Sequence, residues 1–108
     1  MLWYEFPAYF FGGVFLANAL PHLANGISGN AFQSPFAHPP GEGLSSSTVN
    51  VLWGFANFAI AYGLIGRVGD FDPRAADQIA AVGLGVLAIG LMSARHFGRF
   101  HGGAAPAA

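Results

Sequence analysis

Three stretches of this chain, residues 4–24, 48–66 and 75–94, are apolar over the roughly 20 residues that an α-helix needs to cross the hydrocarbon core of a bilayer. The only charged side chains inside them are Glu5 and Asp77, each close to the start of its stretch. Backbone N–H and C=O groups cannot be left unpaired in lipid, so segments of this kind must be helical. The sequence therefore predicts an all-α membrane protein: three transmembrane helices in an up-down-up bundle, with a long, ordered loop between the first and the second. One shared core over residues 1–108 makes a single domain, and the small residues of 102–108 form a flexible tail.

The helix starts are marked by local chemistry. Trp3 and Tyr4 suit a membrane interface, and Pro7 sits in an opening turn, where its missing N–H costs least. Ser46 or Ser47 can cap the second helix. Before the third, Asp72 can cap, Pro73 suits a first helical position, and Asp77 lies at the positive end of the dipole. Gly26, Gly66 and the run from Phe97 to Gly103 are the expected stops. Ala17-Asn18-Ala19 has the small-x-small pattern of a signal cleavage site, but the positive region that precedes one is missing and Pro21 follows closely, so the first stretch is read as a retained span.

Composition removes several functional classes. Four Arg, no Lys and a net charge of −1 offer no basic surface for nucleic acid. The absence of Cys removes disulfides, thiolate metal sites and cysteine nucleophiles. Arg67 and Arg74 oppose Arg95 and Arg99 across the membrane, a tie under the positive-inside rule. The loop between the first two helices carries neither Lys nor Arg and is the easier one to translocate, which predicts an N-terminus inside.

Polar residues inside apolar helices point to where the molecule does something. Asn18, His22 and Asn25 fall within about 60° of one another on a helix, and Pro21 loosens the backbone beside them. On the second helix Asn50, Gly54, Asn57 and Ala61 form a small and polar stripe that should face protein. Antiparallel packing sets Asn50 at the depth of His22 and Asn25, so Asn18, His22, Asn25 and Asn50 are expected to form one buried cluster near the loop, with Asn57 deeper. On the third helix Ala76, Ala80, Gly83, Gly90 and Ala94 line one side and predict a helix-packing surface, toward the other spans or toward another chain.

The loop mixes Phe32 and Phe36 with Pro35, Pro39 and Pro40, a composition that predicts an ordered cap. His38 and Glu42 match no closed metal site, and His96 and His101, beside Arg95 and Arg99, suit lipid headgroups. Glu5 is expected in the headgroup region.

The segments FFGGVFLANALPHLANGISGNAFQSPFA and GLSSSTVNVLWGFANFAIAYGLI carry an N-x-x-P-H first helix, Asn18 to His22, and an N-V-x-W-G-x-x-N second helix, Asn50 to Asn57. In these the chain resembles a family of small, uncharacterised bacterial inner-membrane proteins. The resemblance implies a multi-pass location in a bacterial inner membrane, and it carries no catalytic residues across.

No carboxylate pair, cysteine, multi-His set or phosphate-cradling loop supports an enzyme. The expectation is a non-enzymatic integral membrane protein without catalytic, metal or cofactor residues. It would act through helix association, as a homo-oligomer or as an accessory subunit of a larger membrane complex. A homo-oligomeric transporter or channel with a polar path lined by helices 1 and 2 is the alternative. Haem or chlorin ligation by His22 is a third reading, since one neutral imidazole suffices as an axial ligand.

Overall fold

The computed structural model describes residues 1–104 and contains three helices, α1 (Glu5–Ile27), α2 (Ser47–Gly66) and α3 (Ala76–His101). The loop between α1 and α2 holds an antiparallel pair of two-residue strands, β1 (Phe32–Gln33) and β2 (Leu44–Ser45), with Phe32 opposite Ser45 and Gln33 opposite Leu44. This small ribbon is absent from the all-helical expectation. A hydroxyl–hydroxyl bond between Ser34, just after β1, and Ser45 of β2 ties the ribbon further.

α1 runs through Pro21 without a break and is the central element. It packs along both α2 and α3, which scarcely touch each other. Small residues make both contacts. A Cβ on Gly54 of α2 would stand 2.8 Å from the Leu23 nitrogen and 3.2 Å from the Ala19 oxygen of α1. Gly85 of α3 lies directly against the Phe10 carbonyl, and Gly13 of α1 against the Val82 carbonyl. Such approaches bring helix backbones into direct contact and leave no room for a side chain.

The face of α3 packed on α1 is thus Ala81, Val82 and Gly85, while Gly98, also buried, is covered by Gly103 and Ala104. The face of Ala80, Gly83, Gly90 and Ala94 does not pack within the chain. All four are exposed, and nothing lies within 4 Å of where a Cβ on Gly83 or Gly90 would stand. Both sides of α3 are rich in small residues, and the choice between them is made by Gly13 and Phe10 on α1.

The helix boundaries also differ at the ends. Ser46 caps α2, its hydroxyl accepting from the Val49 N–H at 3.2 Å. Asp72 does not cap α3. Its carboxylate accepts from the Arg74 N–H, closing a turn ahead of the helix, and Ala75 is the N-cap residue. α3 continues seven residues past Ala94 and ends at Gly102, whose φ of 85° suits glycine. Of the expected tail, residues 105–108 lie outside the described residues.

At the end of the bundle away from the β ribbon, Tyr9 (0 % exposed) packs on Ala81 and Val82, and its hydroxyl donates to the Val68 carbonyl at 2.7 Å. Glu5 is buried here rather than solvated, accepting from the Leu2 N–H at 3.1 Å.

By length and mean hydropathy α2 (1.4) and α3 (1.6) are the helices able to cross a membrane. α1 falls short on that measure because Glu5, Asn18, His22, Asn25 and two prolines dilute its apolar residues.

Candidate functional site

Antiparallel packing of α1 and α2 brings their loop-side ends together, and there the chain buries most of its polar side chains. Asn50 is the centre. Its amide nitrogen lies 3.2, 3.2 and 3.0 Å from the carbonyl oxygens of Phe32, Ser45 and Ser46. Carbonyls only accept, so the atom facing them must be the NH2 group, and Oδ1 must face the other way. Oδ1 is 2.7 Å from Nδ1 of His22. A carbonyl oxygen needs a donor, so His22 carries its proton on Nδ1, and the neutral ring has its lone pair on Nε2.

The second pair is ordered by the same logic. Asn57 Nδ2 donates to the Trp53 carbonyl at 2.8 Å, which turns Asn57 Oδ1 toward Asn18. Asn18 Nδ2 donates to it at 3.0 Å, leaving Asn18 Oδ1 with no partner among the described residues. Asn50 and Asn57 are both 0 % exposed.

The expected cluster therefore exists as two polarised pairs, His22 with Asn50 and Asn18 with Asn57. Asn25 belongs to neither. Its Nδ2 turns back to donate to the Pro21 carbonyl at 2.8 Å, one turn earlier on its own helix.

The loop is an ordered cap, and α3 holds it. His96 Nε2 donates to the Gly41 carbonyl at 2.6 Å, and Nδ1 of the same ring lies 3.0 Å from Arg99 Nη2, so both nitrogens are engaged. His101 Nε2 is 2.6 Å from Gln33 Oε1, and the ring stacks on Phe32 at a centroid distance of 5.0 Å. These two histidines fasten loop to helix, where the sequence suggested headgroup contacts. The loop folds back over the bundle end, and its buried carbonyl and amide groups need donors there. His38 and Glu42 are exposed, and among the described residues no group of three metal-ligating side chains converges.

Because α2 and α3 scarcely touch, a cleft of about 340 Å³ opens between them beneath the loop. Asn18 and His22 form its floor, Trp53 one wall, Ile89 and Phe97 the other, and the loop its roof. The His22 ring stands edge-on to Phe32, Trp53 and Phe97, at centroid distances of 5.5, 6.4 and 6.2 Å. His22 is 2 % exposed, yet among the described residues no polar side-chain atom is both sealed from solvent and unpartnered. Nε2, which has no partner there, is thus an atom the cleft reaches.

Sequence reasoning missed Gln33, Trp53, His96 and Phe97 as parts of this site. The signal for Phe97 was present, since continuing α3 past Ala94 places it one turn before His101 on one face.

The Asn18–Asn57 pair makes a direct prediction. Asn18→Leu should lower stability by about 1–3 kcal/mol, because it strands Asn57 Oδ1, and the double variant Asn18→Leu/Asn57→Leu should lose less than the sum of the two single changes. Thermal unfolding of the four proteins in detergent reads the coupling, and strict additivity would show that the pair does not interact.

Comparison with protein-family models, with curated proteins and with solved structures finds no match to this chain, so its function rests on the geometry of the cleft and of the helix surfaces.

Proposed function

We propose that the chain is a non-enzymatic, multi-pass protein of a bacterial inner membrane, with all three helices spanning and the N-terminus inside, and that it works by helix association, with copies of itself or as an accessory subunit of a larger complex. The observation that carries this reading is the inverted distribution of its side chains. Leu52 (66 % exposed), Phe55 (67 %), Leu87 (57 %) and Leu91 (60 %) face outward, while Asn50, Asn57 and His22 are buried. In water such an apolar perimeter would far exceed the few hundred Å² that a monomer exposes; in lipid it is the solvated surface.

Association is supported by the exposed small-residue face of α3. Ala80, Gly83, Gly90 and Ala94 offer open space to an approaching helix, and close backbone contact is what drives association where lipid removes the hydrophobic term. A polar path through helices 1 and 2 is less well supported, because Asn50 and Asn57 are fully buried and already bonded.

The absence of Cys makes single introduced cysteines clean probes. In native vesicles, His38→Cys and Arg74→Cys should react with an impermeant maleimide from opposite sides of the membrane; labelling of both from one side would overturn the three-span topology. Gly83→Cys and Gly90→Cys should give crosslinked species under oxidation, either dimers or adducts with a foreign subunit, while Tyr62→Cys on exposed α2 should not. No crosslink at either glycine, together with a lone monomer in native mass spectrometry, would sink the association reading.

A further inference from the structure

We propose that the cleft between α2 and α3 is a binding site for the hydroxylated ring of a neutral, membrane-soluble phenol of the quinol class, with His22 Nε2 and Asn18 Oδ1 as the atoms that receive its hydroxyl hydrogens. Two hydrogen-bond chains end at this cleft, and each starts from backbone carbonyls, which fixes its direction. Asn50 donates to three carbonyls and leaves His22 with a bare Nε2. Asn57 donates to the Trp53 carbonyl and leaves Asn18 with a free Oδ1. The two residues are four apart on α1, so their Cβ atoms lie one helical turn, about 6 Å, apart on the same face, and both line the cleft. Two bare acceptors on one helix face favour an occupant that brings hydroxyl hydrogens, and Trp53, Ser93 and Gln33 add donors of their own that a hydroxyl oxygen can accept from.

The remainder of the lining sets the class of that donor. Among the described residues no Asp, Glu, Lys or Arg lines the cleft, so an ammonium would bury an uncompensated charge, whereas a neutral hydroxyl does not. Trp53, Phe97, Ile89 and Met92 supply aromatic and apolar walls, and a phenol combines a flat ring for those walls with a better O–H donor than an aliphatic alcohol. A volume of about 340 Å³ exceeds the roughly 150 Å³ cavity known to take benzene, which leaves room for a substituted ring. A metalloporphyrin would use His22 Nε2 as axial ligand but would bring no donor to Asn18. Met92, 66 % exposed, stands at the rim, and the opening lies between α2 and α3. Entry from the bilayer rests on the membrane reading proposed above; the binding chemistry does not, and it is tested in detergent.

The probe is the phenol 2-decylhydroquinone, whose two hydroxyls can serve both acceptors, with its di-O-methyl ether as the control that keeps ring and tail but loses the donors. Trp3→Phe leaves Trp53, in the cleft wall, as the sole tryptophan, so its fluorescence reports occupancy of the purified full chain. Saturable quenching by the phenol is expected, with the methyl ether at least tenfold weaker. His22→Gln should weaken the phenol at least tenfold. Ser93→Phe, which fills the cleft without touching either hydrogen-bonded pair, should abolish binding while helicity is kept. Equal binding of phenol and ether, saturation unchanged in Ser93→Phe, or no saturable quenching up to the solubility limit would each overturn the proposal. So would a His22-dependent Soret shift on haemin titration that the phenol does not compete.

Discussion

Gly85→Val is expected to destabilise the fold by about 3 kcal/mol or more, whereas Gly83→Val and Gly90→Val, two and five residues away on the same helix, leave it unchanged. A Cβ on Gly85 would collide with the carbonyl oxygen of Phe10, and the facing Gly13 has the same relation to the carbonyl of Val82. Neither obstacle is a side chain that can swing aside, so insertion of a branched side chain must move α3 off α1. That contact carries Ala81, Val82 and Tyr9, the buried apolar cluster of the bundle. Around Gly83 and Gly90 a Cβ meets nothing within 4 Å. Denaturant titration in mixed micelles, followed by circular dichroism, measures the difference. Equal loss at positions 83 and 85 would show that the wrong face of α3 has been assigned to α1. The same three variants separate folding from association, since Gly83→Val and Gly90→Val should weaken crosslinking between chains while the monomer stays folded.

How far the sequence announces this arrangement depends on the element. Helix existence follows from apolar length alone, because lipid or packed protein leaves the backbone no alternative pairing. The stripe Asn50, Gly54, Asn57 and Ala61 is legible too, since it gathers both Asn of α2 with small residues on one face, and these four are its buried residues. α3 is different. Ala and Gly occur on both of its candidate faces, so periodicity cannot choose between Gly83 and Gly85, and the decision lies with α1. The His22–Asn50 pair follows from the loop joining two antiparallel ends. The Asn18–Asn57 pair lies deeper, one turn along α1 and two along α2, and treating Asn57 as separate obscured it. Asn25 defeats face-counting because an Asn can bond the carbonyl four residues back on its own helix as readily as a neighbour. The clasp of His96 and His101 on the loop depends on a chain reversal that no local pattern encodes.

The second large effect falls on Asn50, and the informative substitution is the isosteric one. Asn50→Asp keeps size and shape but replaces the NH2 group that faces the Phe32, Ser45 and Ser46 carbonyls with an oxygen that accepts when ionised and offers a single hydrogen when protonated. At least two carbonyls would then lack a donor in a site that is 0 % exposed, and holding the carboxylate ionised there would add its own desolvation cost. Asn50→Leu strands the same carbonyls and leaves His22 Nδ1–H without an acceptor. Each polar group left unpaired there costs about 1–3 kcal/mol, so both variants should lose several kcal/mol, and the loss should be centred on the loop, because two of the three carbonyls belong to β1 and β2. Hydrogen exchange should show the Phe32–Ser45 ribbon opening first, with Trp53 becoming more accessible as the roof of the cleft lifts. If Asn50→Asp instead matched the parent protein in stability and loop protection, the direction assigned to the Asn50 amide would be reversed. The Nδ1–H assignment of His22, and with it the bare Nε2 presented to the cleft, would fall at the same time.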